Sequence, residues 1–450
     1  MLQGRKKLAI LMGCGVLIAF VSMPKVAFAG GFQLMEENVT NLGNAFAGTG
    51  AEAADASTEF YNPAGMTLLD NPQFVVGGTL IDVGLTSDVT SASSTTSINL
   101  GPLGTTTTTS NITGNSSTNP GGIVAIPEFH YVYPYNHYWA IGFGVTTPYG
   151  LSVDYPQESL NRFIATKSFV GTVNFGPTVA LQLLTPLSVG GGLDVQYIDA
   201  TLNQMVLPFL TDLQGDPFTN EGDDWAVGWH AGLLYQFTCD TRVGASYHSQ
   251  MHYTVNGDST ITTSSGAETG TFTSDVTLPD YADLSFYHDF NTKWAVLASL
   301  DYTHWSVLQN ITANFAGNIA NSVQETNIPL LFEDTYRVSL GLNYRPIRRL
   351  LLRTGVAYDQ SPVKNSQTRT FRIPDSDRYW VGLGGQYVIN KKFTLDAGYT
   401  HLFTNNPYGI NSTITINGTL PGPGGVAIPF TDTETAVGSF DGVLTNSVFS

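Results

Sequence analysis

The 450-residue chain sets 19 Lys and Arg against 36 Asp and Glu, a formal charge of −17. This balance argues against nucleic acid as a partner, because phosphate binding needs clustered cations. Only 12% of residues are charged while another 12% are aromatic, whereas a typical soluble domain carries about 25% charged residues. Beyond the N-terminus no apolar run approaches the roughly 18 residues of a spanning helix, so the composition points to an all-β transmembrane barrel.

Residues 1–29 read as a signal peptide. Arg5, Lys6 and Lys7 form a basic start, Leu8 to Val21 is uncharged and apolar, and Ala27-Phe28-Ala29 is an A-x-A cleavage site. Export leaves Gly30 as the mature N-terminus and Cys239 as the lone remaining cysteine, so no intrachain disulfide is expected. Residues 30–70 are rich in Gly, Ala and Asn, lack strand alternation and end near Asn62-Pro63-Ala64-Gly65. They read as a hatch, a plug inside the tube formed by residues 71–450.

Downstream, period-two alternation repeats. Trp294, Val296, Ala298, Leu300 and Tyr302 share one face, and Tyr336, Val338, Leu340, Leu342 and Tyr344 lie opposite Arg337, Ser339, Gly341 and Asn343. Such runs are half-buried strands, and aromatics at both ends suit the two membrane interfaces. A soluble β-sandwich also alternates, but these runs are long enough to cross a bilayer, and tight turns alternate with long polar loops.

About fourteen antiparallel strands are expected, near 73–86, 122–133, 138–153, 167–184, 188–202, 226–238, 241–255, 272–288, 292–308, 334–346, 349–359, 377–389, 393–404 and 436–449. Thr86 to Asn119, Gln309 to Phe332 and Thr404 to Thr435 read as exposed loops. The end, Asn446-Ser447-Val448-Phe449-Ser450, alternates weakly, which leaves barrel closure in question.

The ordered blocks Gly31-Phe32-Gln33-Leu34, Leu42-Gly43-Asn44-Ala45, Asn62-Pro63-Ala64, Asp334-Thr335-Tyr336-Arg337, Arg353-Thr354-Gly355, Tyr358-Asp359-Gln360-Ser361-Pro362 and Ile373-Pro374-Asp375-Ser376-Asp377-Arg378 resemble the FadL/TodX family of outer-membrane transporters for hydrophobic compounds. The resemblance spans the mature chain. It implies a fourteen-stranded barrel plugged by its hatch. Ligand is captured in an outer apolar groove, passes to a deeper pocket and leaves sideways into the membrane at a kink in the third strand. A lateral exit keeps apolar surface out of water.

Carried onto this chain, the kink falls at Pro148, Tyr149, Gly150 and Leu151. Pro removes a ladder donor there, although it could instead mark the strand's outer end. Asn62, Pro63 and Ala64 are then the hatch gate, and Phe32 reaches the deep pocket. Alternation points Arg337, Arg353 and Arg378 into the lumen, as cations for a carboxylate or as partners of hatch acids such as Asp55 and Glu59.

Fatty-acid members carry basic residues where this chain has Gln204 and Glu333, which shifts the expectation toward neutral hydrocarbons. Met205 to Leu210, with Leu207 and Phe209, forms an apolar run suited to the outer groove. Asp212, Asp216, Glu221, Asp223 and Asp224 read as a solvated acidic loop beside it, or as a holder of divalent cations bridging lipopolysaccharide.

The partners expected are therefore a fatty acid or hydrocarbon, the lipid bilayer with its lipopolysaccharide, and the barrel assembly machinery, for a monomer in the outer membrane of a Gram-negative bacterium. No metal and no cofactor are expected. An enzyme is disfavoured because no G-x-S-x-G occurs, and His130 and His137 sit among aromatics of the girdle type. The other alternative is a general or structural porin or adhesin, for which a long plug has no use.

Overall fold

The computed structural model describes residues 30–207, 215–264, 266–404, 408–422 and 427–449; the signal segment, Asp212 and Phe209 lie outside them. Long strands follow one another as the alternation requires. The wall consists of β1 (Gln73–Asn99), β2 (Ile123–Pro134), β3 (Trp139–Thr146), β4 (Gly150–Asp154), β5 (Lys167–Leu184), β6 (Leu187–Val206), β7 (Asp216–Thr238), β8 (Thr241–His248), β9 (Tyr281–Asp289), β10 (Trp294–Thr303), β11 (Thr335–Ile347), β12 (Leu350–Asp359), β13 (Arg378–Val388), β14 (Thr394–Thr404) and β15 (Ala427–Phe449). Every pairing is antiparallel between neighbours, with β3 and β4 sharing β5 as two halves of one wall strand.

The ring closes. β15 is 23 residues long, far longer than its weak alternation suggests, and pairs with β14 from Ala397↔Phe449 to Phe403↔Val443. On its other edge it pairs with β1 from Thr79↔Val448 to Ile98↔Phe430. Its outer half turns the polar Asp432 and Glu434 inward, which hides the apolar rhythm. Truncation after Asp441 removes every residue paired with β14. The expected result is loss of the compact, heat-modifiable form on SDS gels; a truncated chain that still migrates as a folded barrel would contradict this closure.

Several expected loops are strands. β1 continues through the Ser/Thr run to Asn99, and Thr105–Asn111 folds back on it from Ser93↔Asn111 to Asn99↔Thr105. Thr is β-branched and favours a pleated backbone, and Thr95 and Thr109 hydroxyls meet at 3.0 Å across the pair. The expected strands 241–255 and 272–288 each break, because a hairpin of Met251–Thr263 and Gly266–Leu278 leaves the ring beside β7. Pro279, which has no N–H to donate, marks the return. The stretch expected as the loop 309–332 likewise contains paired strands, Asn310–Gly317 with Val323–Pro329.

The outer face is greasy. Tyr336, Val338 and Leu340 are about half exposed, whereas Arg337 and Ser339 between them are buried. Tyr336 meets Tyr302 at a tilt, and Tyr344 stacks on Trp294. These two aromatic levels are eight residues apart on β11. That is about 27 Å along a strand and roughly 20 Å of height once tilted, close to the apolar band of an outer-membrane barrel.

Residues 30–70 fill the interior with short helical turns at Leu42–Asn44, Thr49–Glu52, Thr58–Tyr61 and Pro63–Leu68, and nearly all of them are buried. Their backbone touches the wall at glycines. A Cβ on Gly244 of β8 would strike the Gly50 carbonyl, and one on Gly355 of β12 would strike that of Asn44. Here glycine serves close approach of two main chains.

Candidate functional site

The third wall strand breaks between Thr146 and Gly150. Pairing with β5 stops at Thr146↔Asn174 and resumes at Gly150↔Gly171, one residue out of step. Pro148 therefore lies inside the strand rather than at its outer end. Below the break β3 pairs with β2, but β4 has no such partner among the described residues.

The N-terminal segment takes that vacant edge. Leu34 N–H donates to the Pro148 carbonyl and Gly150 N–H to that of Phe32, each at 2.8 Å. Gln33 and Tyr149 form an antiparallel bridge, and Thr147 N–H donates to Glu37 Oε2 at 2.7 Å. The Phe32 ring meets Trp305 at 4.9 Å and Tyr149 at 6.0 Å between centroids.

Above Phe32 lies an apolar chamber. Its walls come from β6 (Ile198, Ala200, Leu202), the 251–278 hairpin (Val255, Phe272, Val276, Leu278) and the 309–330 stretch (Ile311, Ala313, Phe315, Ile328, Leu330). Phe32 and Leu151 line it next to the break. Such walls shield an apolar chain from water.

One cation faces this apolar space. Arg372 is 2% exposed. Its Nη1 donates to Ser168 Oγ at 3.1 Å and to the Asn203 carbonyl at 3.3 Å, and its Nη2 to Gln204 Oε1. Its Nε has no partner, and no acid pairs with it among the described residues. Burial without a counter-charge pushes the guanidinium down to about 9, so an arriving anion would be strongly favoured there. Sequence reasoning missed Arg372 because it lies in the connection between β12 and β13, where alternation gives no direction.

The arginines singled out by alternation are buried in the lumen but already paired. Arg337 bonds Asp301 at 3.2 Å, Arg353 bonds Asp396 at 3.0 Å, and Arg378 meets Asp359 at 3.1 Å. Their acids come from the wall rather than from Asp55 or Glu59. Asn62-Pro63-Ala64 is not at the break. Asn62 donates to the carbonyls of Gly50 and Leu233 at 2.6 and 2.9 Å, and a Cβ on Gly190 of β6 or Gly232 of β7 would collide with Pro63 or Asn62. Phe32 to Glu37 occupies the gap instead.

Gln204 lines the chamber through its bond with Arg372, and Glu333 is exposed and paired with Lys364. Leu207 lines a separate outer groove with Ile261, Val323, Ile416 and Phe430. Asp216 borders that groove, while Glu221, Asp223 and Asp224 lie on β7 rather than in a loop. His130 is a lumen residue, not a girdle one: it is buried, with Nδ1 2.8 Å from Glu59 and Nε2 2.8 Å from the Glu37 carbonyl.

Residues 19–433 match the family model described as outer membrane protein transport protein (OMPP1/FadL/TodX). The chain is 31% identical over 415 residues to "Outer membrane protein P1" of Haemophilus influenzae, covering 84% of this chain and 86% of that protein. It is 29% identical over 439 residues to "Long-chain fatty acid transport protein" of Escherichia coli O6:H1, covering 89% and 92%. Among solved structures, a Pseudomonas aeruginosa FadL homologue shares the fold with a TM-score of 0.72 at 20% identity, over 93% of this chain and 99% of that one. The Pseudomonas putida toluene transporter TodX does so at 0.59 and 16%, over 91% and 98%.

Proposed function

The chain belongs to the OMPP1/FadL/TodX family of outer-membrane transport proteins and sits in the outer membrane of a Gram-negative bacterium as a β-barrel, and from that premise we propose that it takes up hydrophobic molecules bearing one carboxylate, long-chain fatty acids above all. The observation that carries this reading is Arg372, a buried guanidinium without an acid on the wall of an apolar chamber. Relatives named for fatty-acid transport support the same substrate class. The cation missing at 204 is thereby supplied from another element and held by Gln204 itself.

In this mechanism the outer groove around Leu207 captures ligand first. The alkyl chain then enters the chamber with its carboxylate on Arg372, gaining roughly 0.8 kcal/mol per buried methylene. Phe32 is the barrier between chamber and break. Release requires the Phe32–Leu34 strand to leave the Pro148–Gly150 edge, which opens a side exit toward lipid. The residues 30–70 act as the hatch, with Asn62-Pro63-Ala64 as its anchor to β6 and β7.

Binding of oleate and of toluene to the purified, detergent-solubilised protein tests the substrate class. Saturable oleate binding is expected; toluene binding without oleate binding would make this a hydrocarbon channel, and neither would favour a structural porin. The exit is tested by a disulfide. Gln33 and Tyr149 are antiparallel bridge partners, so paired cysteines there lie within bridging reach. With Cys239→Ser as background, the oxidised Gln33→Cys/Tyr149→Cys protein should bind oleate yet lose uptake by at least about tenfold, and reduction should restore it. Full uptake through the locked protein would eliminate the side exit.

A further inference from the structure

Three lumen-facing side chains on consecutive strands converge away from the chamber. Asp194 of β6, His230 of β7 and His248 of β8 are each about 95% or more buried, and one ligating atom from each lies within 4.8 Å of the others. Both histidines aim Nδ1 at the same oxygen, Asp194 Oδ2, at 3.0 Å for His230 and 3.6 Å for His248. The sequence concealed the group, because 36 and 18 residues separate its members and only the strand register aligns them.

The far side of each ring shows what the near side offers. His248 Nε2 lies 3.1 Å from the Phe60 carbonyl, which can only accept, so Nε2 carries the proton. His230 Nε2 lies 3.0 Å from Thr178 Oγ1, whose own proton has acceptors in the Gly176 carbonyl and Glu59. When both Nε2 atoms are protonated and the imidazoles neutral, the rings present Nδ1 lone pairs beside a carboxylate oxygen. Asp194 Oδ1 is fixed in turn by Asn174 Nδ2 at 2.8 Å. Donors converging in this way need a positive centre among them, a proton on one Nδ1 or a metal ion shared by all three.

We propose that Asp194, His230 and His248 form a binding site for a divalent transition metal of the zinc type. Two imidazole nitrogens and one carboxylate oxygen are a common zinc donor set, with bonds of about 2.0–2.2 Å, and partner contacts on every ligand's far atom orient it as such sites require. Oxygen-preferring calcium and magnesium fit poorly. A cavity lined by His248 and Tyr281 opens beside the group. Because His248 also holds the Phe60 carbonyl, the metal pins three wall strands to the segment inside them.

The test is titration of the intact, chelator-stripped barrel with Co2+, read by its visible absorption, followed by displacement with Zn2+. One equivalent with a strong tetrahedral-type spectrum is expected. His248→Gln and Asp194→Asn, each checked for the heat-modifiable folded form, should lose that spectrum. Asn174→Ala keeps all three ligands but loosens Asp194, and should weaken affinity about 10- to 100-fold. Absence of stoichiometric metal in the wild-type protein overturns the proposal. So does binding that survives both ligand substitutions, which would place the ion on the outer acidic residues.

Discussion

Arg372→Gln should weaken oleate binding at least about 30-fold while leaving toluene binding within about twofold. The arginine is buried and its three observed acceptors are neutral, so a ligand carboxylate brings the full opposite charge that no described neighbour supplies. Truncating one partner of a buried, hydrogen-bonded charge pair costs about 2–5 kcal/mol, and about 1.4 kcal/mol is a factor of ten. A neutral aromatic never uses the guanidinium and senses only the unchanged apolar walls. Isothermal titration with both ligands gives the answer. Equal losses for oleate and toluene would mean that the substitution had collapsed the chamber. Unchanged oleate affinity would remove Arg372 from the site and return the choice to neutral hydrocarbons.

Gly244→Val should convert a closed barrel into a conducting one. A Cβ at this position collides with the Gly50 carbonyl and sits 2.8 Å from Asn62 Nδ2, so the new side chain fits only if the segment carrying Gly50 and Asn62 moves. The steric cost is about 1–3 kcal/mol, and the two hydrogen bonds of Asn62 add about 1 kcal/mol each. Together they shift the seated segment toward release by roughly 3–5 kcal/mol, more than a hundredfold. Planar-bilayer recordings should show rare, small currents for the wild type and frequent large openings for the variant. Gly385→Ala is the control, because a Cβ there finds its nearest neighbour, a backbone oxygen, at 3.3 Å and touches no hatch residue. A variant as silent as the wild type would show that the segment yields without leaving.

Alternation located the wall because one face of each strand must suit lipid, and Tyr336 through Tyr344 shows that face directly. It failed where no lipid imposes a pattern. The Ser/Thr continuation of β1 and the 309–330 stretch project beyond the apolar band, so their strand character rests on backbone pairing and β-branched propensity. Ile311, Ala313 and Phe315 do alternate, but over a run too short to stand out. The site was legible in part. Pro148 and Gly150 announce a break by their own backbone chemistry, and Phe32 came with the resemblance. Direction of alternation put Arg337, Arg353 and Arg378 in the lumen correctly, yet it cannot say which cations already hold an acid. Asp301, Asp396 and Asp359 settle that, and they are visible as partners only once register is known.

The closing seam has a consequence for how the protein is made. Thr79 and Val448 are neighbours across β1 and β15, so the last contacts join residues roughly 370 positions apart, with a loop-closure cost of about 5 kcal/mol before any is returned. Such long-range pairing belongs at the end of assembly. The segment that fills the lumen precedes β1 in the chain and lies main chain to main chain against glycines on strands from opposite sides of the ring. Strands laid down beside that segment gain these contacts before the seam closes, so the part that fills the lumen also gives the wall an early surface to form against.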